Sequence, residues 1–232
     1  SLFFGQSSFS QYVVTRASNA VVVDPDVDLT LLGPLGCGIQ TGSGTVLNRL
    51  KPVVGESLVV FGCGAVGLSA IMAAKLTGCS QIIAVDIHAS RLALAGELGA
   101  THQINGKEQD AVAVIKQITG KGAHYAVETT GVSAIVLQAV HAVKPLGTVA
   151  IVGFTGDITL NVQNDLMAEG KSLVGVIEGD AVPALFIPLL VQLYKQGKFP
   201  IDKLIARYPL ADINQAFADS ASGKVIKPVV VM

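Results

Sequence analysis

The run Gly62-Cys63-Gly64-Ala65-Val66-Gly67 constrains this chain more than any other feature. It follows the β-branched stretch ending in Val59-Val60-Phe61 and opens a helical pattern from Val66 to Leu76. Glycines spaced this way are common by chance, so the context carries the weight. Gly62 permits a tight turn, Gly64 lets the backbone approach a pyrophosphate, and Gly67 allows the helix to pack closely on the strand. With Ala65 and Val66 between them, these residues place unsatisfied N–H groups at the positive end of a helix, where an anion sits favourably.

The same alternation continues downstream. Strand-like runs fall at Leu58–Phe61, Gln81–Val85, Thr101–Ile104, His124–Val127, Thr148–Val152 and Leu173–Ile177. Helical patterns lie between most of them, at Val66–Leu76, Arg91–Leu98, Ala111–Thr119 and Ser133–Val143. Ser90 reads as an N-cap, Gly78, Gly99 and Gly120 as left-handed helix ends, and Pro145-Leu146-Gly147 as a turn. Strand–helix alternation of this kind implies right-handed βαβ units on a parallel sheet. Six strands make two mononucleotide-binding halves, so the expected fold is α/β: a Rossmann, doubly wound, parallel six-stranded sheet. Such a sheet is buried on both faces. The composition agrees, with 50% apolar residues, 25 glycines and only 14% charged residues.

Asp86 ends the second strand about 20 residues beyond Gly67, where the fingerprint needs an acid. A carboxylate there accepts hydrogen bonds from ribose hydroxyls and repels a 2′-phosphate, which selects NAD over NADP. Arg91, one turn into the next helix, is either a second ribose contact or a solvated helix residue. A net charge of -1 gives no electrostatic case for nucleic acid or an anionic membrane. Every apolar run is interrupted before it could span a bilayer. The three cysteines, Cys37, Cys63 and Cys79, lack metal-type pairing and fit a reducing, cytoplasmic compartment. Cys63 and Cys79 read as inert packing. His88, His102, His124 and His141 are scattered without ligand spacing.

The flanks differ from the centre. Phe9–Val23 reads as extended segments with mixed alternation, broken by Pro25 and Gly33-Pro34. After Gly179 come an apolar helix, Ala184–Lys195, a polar helix near Ile213–Ala218, and a final strand, Lys227–Val231. The two flanks are read as pieces of one second domain interrupted by the central unit. The chain opens at Ser1 on Leu2-Phe3-Phe4 without an initiator Met and is read as a fragment or a processed product.

The stretch Gly33-Pro34-Leu35-Gly36-Cys37-Gly38-Ile39-Gln40-Thr41-Gly42, followed by Gly55-Glu56 and the glycine turn, resembles the zinc-dependent medium-chain alcohol dehydrogenases, and within them the bacterial aryl (benzyl) alcohol dehydrogenases. The likeness runs from Phe3-Phe4 to the last strand. It implies residues 1–38 as the end of an N-terminal GroES-like catalytic domain, 39–178 as the NAD-binding domain, and 179–232 as a return to the catalytic domain. The flanks would then be remnants of a β-rich domain. It also implies Cys37 as a catalytic-zinc thiolate, although without the family a lone Cys among glycines reads as a small buried hydrophobe. Thr41 and Val66 would pack against the nicotinamide. Val152, Val176 and Glu178 would hold the carboxamide, and Thr130 joins the cofactor-binding set. Lys227 falls where the family often has an Arg on the pyrophosphate, as a point charge rather than a fork. Phe3, Phe4, Phe154 and Ile177 would line a pocket suited to a flat aromatic alcohol.

The function so implied is NAD-dependent, zinc-assisted oxidation of a primary aromatic alcohol to the aldehyde. The partners would be a small alcohol or aldehyde and further copies of the chain, as a dimer or tetramer joined through the apolar edge strand Leu173–Ile177. The family's other zinc ligands are not found in this sequence. One thiolate cannot make a tetrahedral site, so this stretch alone is expected to bind NAD and lack turnover. Two other readings remain open: a zinc-free, NADPH-dependent quinone or enone reductase of the same superfamily, and an NAD-binding module without chemistry.

Overall fold

In the computed structural model, which describes residues Phe9–Met232, the chain divides into two compact units. One is Gly38–Ala181; the other joins Val182–Met232 to the described residues up to Cys37.

The first unit opens with a short helix, α1 (Gly38–Gly44), that widens into a π-helical turn over Thr45–Leu50 and stops at Lys51, φ 49°. Then follow β1 (Ser57–Phe61), α2 (Ala65–Thr77), β2 (Gln81–Asp86), α3 (Ala89–Leu98), β3 (His102–Asn105), α4 (Ala111–Thr119), β4 (Ala123–Glu128), α5 (Ser133–Ala142), β5 (Val143–Ile151) and β6 (Ser172–Gly175). The sheet order is β3-β2-β1-β4-β5-β6 and every pairing is parallel. The order reverses between β1 and β4, the point beyond whose C-terminal strand ends sheets of this kind bind their ligands. The Rossmann architecture expected from the alternation is the one observed.

Packing explains why these segments hold their places. All five residues of β1 are buried, which requires cover on both faces. Val59 and Phe61 join Ile83, Val85 and Ile104 under α4 and α5, whose Ile115, Ala139 and Val140 are fully buried. Residues Gly67 to Ala74 of α2 are buried without a break, a run of mostly small residues that brings the helix axis close to the sheet.

Local chemistry corrects several boundaries. Helix α3 begins at Ala89 with His88 in the cap position, so Ser90 lies inside the helix. The Asp86 carboxylate takes the N–H groups of Ile87 and His88 just ahead of this helix. Gly78 is left-handed, whereas Gly99 and Gly120 have positive φ outside that basin. Pro145-Leu146-Gly147 does not separate helix from strand. It forms an irregularity within β5, with Leu146 at φ 64° and a register shift opposite Ala123 and Tyr125. Strand β6 ends at Gly175 rather than Ile177, since the chain turns left-handed from Glu178.

The second unit holds α6 (Pro183–Lys195), β7 (Ile205–Pro209), α7 (Ile213–Ala221) and β8 (Lys227–Val231), with β7 and β8 paired in parallel. Strand β7 was not anticipated. Phe9–Val23 forms no strand. Its backbone is extended at Arg16 and Ala20 on either side of a 3-10 turn, and it finds no ladder partner among the described residues. Arg207 of β7 donates to Thr30 Oγ1 at 2.6 Å and Asp28 Oδ2 at 2.8 Å. Asp219 of α7 accepts from Tyr208, Gln215 and Lys224, which hold its carboxyl below the usual carboxylate range. No helix among the described residues is long and apolar enough to cross a membrane.

Candidate functional site

The three glycines of the turn meet three different surroundings. Gly62 has φ 91°, and a Cβ there would lie 2.6 Å from Thr129 Oγ1. Gly67 is packed more tightly: its Cβ would sit 1.8 Å from the Gly62 carbonyl oxygen. Gly64, at the cap of α2, has no atom within 4 Å of the place a Cβ would occupy. Two glycines are thus required by packing, and the third keeps a bare space in front of the first turn of α2. The N–H groups of Ala65, Val66 and Gly67 belong to that turn, which has no carbonyl of its own to offer them. A pyrophosphate fits this cradle, and a side chain at Gly64 would fill it.

Asp86 closes the cradle on the β2 side. Its Oδ2 accepts from the Cys63 N–H at 2.6 Å, and Oδ1 accepts from Ile87 and His88 at 2.7 and 2.9 Å. A carboxylate offers about four acceptor positions, so one remains for a ribose hydroxyl, on Oδ2. Arg91, within α3, has a buried Nε with no hydrogen-bond partner among the described residues. Burial pushes the neighbouring Cys63 thiol up, the Asp86 charge adds to that, and the Arg91 charge opposes it. Cys63 is therefore an inert filler behind the turn, as its sequence position suggested.

On the other side of the switch point the site is harder to read from the residues alone. Glu128 ends β4 with its side chain fully buried. It accepts from the Thr130 N–H at 2.7 Å, from the Thr130 hydroxyl, and from the Gly131 N–H at 3.2 Å. Thr129 Oγ1 donates to Phe61 O and Gly62 O at 2.9 and 3.0 Å, bracing the glycine turn from β4. The Thr130 hydroxyl donates to Glu128 and accepts from the Val132 N–H, so Thr130 meets the turn through its methyl group. An acid ending an apolar strand before Thr-Thr-Gly was the one available signal of this lock.

Val152 and Val176 follow the ends of β5 and β6, with their N–H groups on Glu128 O and Ile151 O. Two residues later Glu178, Gly179 and Asp180 have φ of 50°, 68° and 47°. For non-glycine residues this region costs about 1–2 kcal/mol each, and the segment is held there by α1 and the turn that follows it. Glu178 Oε2 accepts from Gln40 Nε2 at 2.9 Å and from Thr41 Oγ1 at 3.4 Å. Asn48 donates to Gly179 O at 3.0 Å, and Arg49 meets Asp180 at 3.3 Å. Helix α1 itself lies against α2, where a Cβ on Gly42 would fall 1.9 Å from Val66 O.

The turn, Asp86, Arg91, Thr130, Val152, Val176, Glu178 and Thr41 therefore all belong to one unit, most of them at the C-terminal edge of its sheet. Phe154 and Ile177 are exposed. Cys37 and Lys227 belong to the other unit, with Cys37 exposed and Lys227 at the start of β8. Phe3 and Phe4 lie outside the described residues. Among the described residues no group of three or more His, Cys, Asp or Glu side chains could hold a metal ion.

Residues 65–195 match the family model described as zinc-binding dehydrogenase. The chain is 44% identical to a geraniol dehydrogenase of Castellaniella defragrans, over all of this chain and 63% of that protein. Among solved structures it is similar to the benzyl alcohol dehydrogenase of Acinetobacter calcoaceticus, with a TM-score of 0.95 and 52% identity over 98% of this chain and 64% of that one. An alcohol dehydrogenase zinc-binding domain protein from Burkholderia ambifaria gives a TM-score of 0.96 at 52% identity, over 99% of this chain and 63% of that one. The chain thus spans less than two thirds of the length of these relatives.

Proposed function

Because the chain belongs to the zinc-binding dehydrogenase family of medium-chain alcohol dehydrogenases, we propose that it forms the NAD-holding part of an enzyme that oxidises a primary, aromatic alcohol to its aldehyde. The observation that carries the cofactor reading is the open face of Gly64 between two closed glycines, with Asp86 bonded into the same turn. The first turn of α2 holds the pyrophosphate through its N–H groups and its positive end. Asp86 accepts from the adenosine ribose through the capacity left on Oδ2, and its charge repels a 2′-phosphate. Arg91 stands beside it with an unpartnered Nε. Thr41 and Val66 pack on the nicotinamide, Thr130 borders the cradle, and backbone at Val152, Val176 and Glu178 receives the carboxamide. When bound, NAD supplies the hydride acceptor.

The aromatic preference rests on the similarity to benzyl alcohol dehydrogenase and on Phe154, the described aromatic of the expected pocket set. The roles that the resemblance gives to Cys37, a zinc thiolate, and to Lys227, a pyrophosphate cation, concern the other unit. Cys37 has no ligand cluster about it among the described residues, so a zinc centre needs donors besides these. The isolated chain accordingly binds nucleotide without oxidising alcohol. Strand β6, at the edge of the sheet, offers the surface for pairing with a second copy in a dimer or tetramer.

Calorimetry of this chain with NAD and with NADPH tests the cofactor reading, and tighter binding of NAD is expected. Tighter NADPH binding would refute it in favour of the zinc-free reductase reading, for which the free Nε of Arg91 would be the phosphate contact. The alcohol is tested by NAD reduction with benzyl alcohol in the protein carrying its full ligand set, before and after chelation. Turnover that survives complete removal of zinc would refute the role of Cys37.

A further inference from the structure

Glu178 does more than its backbone position requires. A doubly wound sheet binds one mononucleotide on each half, and Asp86 marks the β1–β2–β3 half as the adenosine side. The nicotinamide half then lies over β4–β5–β6, and Glu178 follows the end of β6 on that edge. Its left-handed backbone is fixed by the close approach of Gly44 to Gly179, where an added Cβ would fall 2.5 Å from the Gly179 carbonyl oxygen, and by the Asn48 hydrogen bond. Such an arrangement holds one side chain in one place at a conformational cost, although Asn or Gly would adopt this backbone more readily.

The carboxylate so held has neutral partners. Gln40 Nε2 and Thr41 Oγ1 donate to Oε2, while the adjacent cation, Arg49, is bridged to Asp180 instead. A carboxylate paired with no cation among the described residues therefore stands next to Thr41, the residue assigned to the nicotinamide. The oxidised nicotinamide ring is positive and the reduced ring is neutral, and the rest of the two nucleotides is the same. We infer that Glu178 is a specificity-determining residue that sets the preference of the site for oxidised over reduced nucleotide. The inference rests on the proposed NAD reading and concerns the ratio of two affinities rather than either one alone.

The test is the Kd of NAD+ and of NADH in the wild type, E178Q and E178D, with thermal unfolding of each. E178Q keeps an acceptor for Gln40 and Thr41 and removes only the charge. It is expected to lower the affinity ratio of NAD+ to NADH by about tenfold or more, because removing the carboxylate charge removes its attraction for the positive ring, chiefly by weakening NAD+. E178D should keep the ratio near that of the wild type. Equal weakening of both nucleotides in E178Q would overturn the inference, because a purely structural brace does not distinguish ring charge. An unmoved pair of affinities would overturn it too. If E178Q does not fold, the wild-type ratio across NaCl concentration decides: a ratio that falls with salt supports the charge, and a flat one overturns it. Wild type that binds neither nucleotide refutes the NAD reading and this inference together, whereas wild type that binds both with an unchanged ratio in E178Q refutes the inference alone.

Discussion

The two glycines Gly64 and Gly67 should respond to the same substitution in opposite ways. In G67A the new methyl would lie 1.8 Å from the Gly62 carbonyl oxygen and 3.0 Å from Val60 Cγ1. That is about 1.6 Å short of ordinary contact, so α2 must move away from β1. Its opposite side is closed as well, since Gly42 of α1 already approaches Val66 O with no room for a Cβ. Overpacking costs 1–3 kcal/mol where neighbours can yield, and this position belongs at the upper end, about 3 kcal/mol. For a chain of this size that lowers Tm by roughly 6–12 °C. In G64A the backbone, φ -78° and ψ -171°, suits alanine and the methyl meets nothing. Tm should hold or rise slightly, because alanine restricts the unfolded chain. NAD affinity should nevertheless fall by about tenfold or more, since the methyl occupies the space left for the pyrophosphate. Differential scanning fluorimetry and calorimetry on the same samples read both effects. G64A that binds NAD as the wild type does would refute the placement of the pyrophosphate on α2, and G67A with an unchanged Tm would refute the steric argument.

Asp86→Asn turns an amide toward the Cys63 N–H across 2.6 Å, so it should cost about 1–3 kcal/mol of stability and also narrow NAD-over-NADP discrimination about tenfold; unchanged discrimination by calorimetry would refute the repulsion argument. Glu128→Gln places an amide where a fully buried carboxylate accepts from Gly131, and an expected loss of about 1–3 kcal/mol in urea unfolding checks the lock at β4. Burial, and secondarily Lys144, depress the folded pKa of His124 below its ordinary 6.5, with Glu56 opposing. The unfolded chain then binds more protons just below that value. The stabilising contribution is present above about pH 6.5 and is lost as pH falls through the folded pKa, and His124→Gln should flatten this slope of Tm between about pH 5 and 7.

The central sheet was legible because its signals are local and redundant. The central strands β1 and β2 are short Val/Ile-rich runs, and α2, α3 and α4 each end at a glycine of positive φ. Helix α1 was not legible for the opposite reason. Three of its seven residues are glycine, which locally disfavours a helix. It forms because those glycines let it press against α2 and the Gly179 turn, and that gain exists only once both partners are folded. The four-residue spacing of Gly38 and Gly42 was the trace of a packing face. Strand β7 is short and ends in proline, so nothing in its sequence separates it from a loop until β8 lies alongside. The residues Pro145-Leu146-Gly147 read as a turn but form a bulge inside β5, because the ladder resumes at Thr148.

At the site, residue identity was easier to read than residue duty. The acid ending β2 points to a ribose from its position alone, but three of its acceptor positions are spent on Cys63, Ile87 and His88. Those partners lie at two separate points of the chain and meet only when β1 and β2 pair in register, Phe61 opposite Val85. The group that would discriminate between nucleotides is therefore also the group that builds the turn receiving them. A replacement chosen to admit a 2′-phosphate must still accept from the Cys63 N–H, or the glycine cradle loses its support along with its selectivity. Serine can accept through one oxygen and carries no charge, so Asp86→Ser should relax the selectivity while retaining more of the fold than Asp86→Ala, which accepts nothing. A Tm equal to that of the wild type in both variants would show that the turn stands without Asp86, and that its carboxylate serves the nucleotide alone.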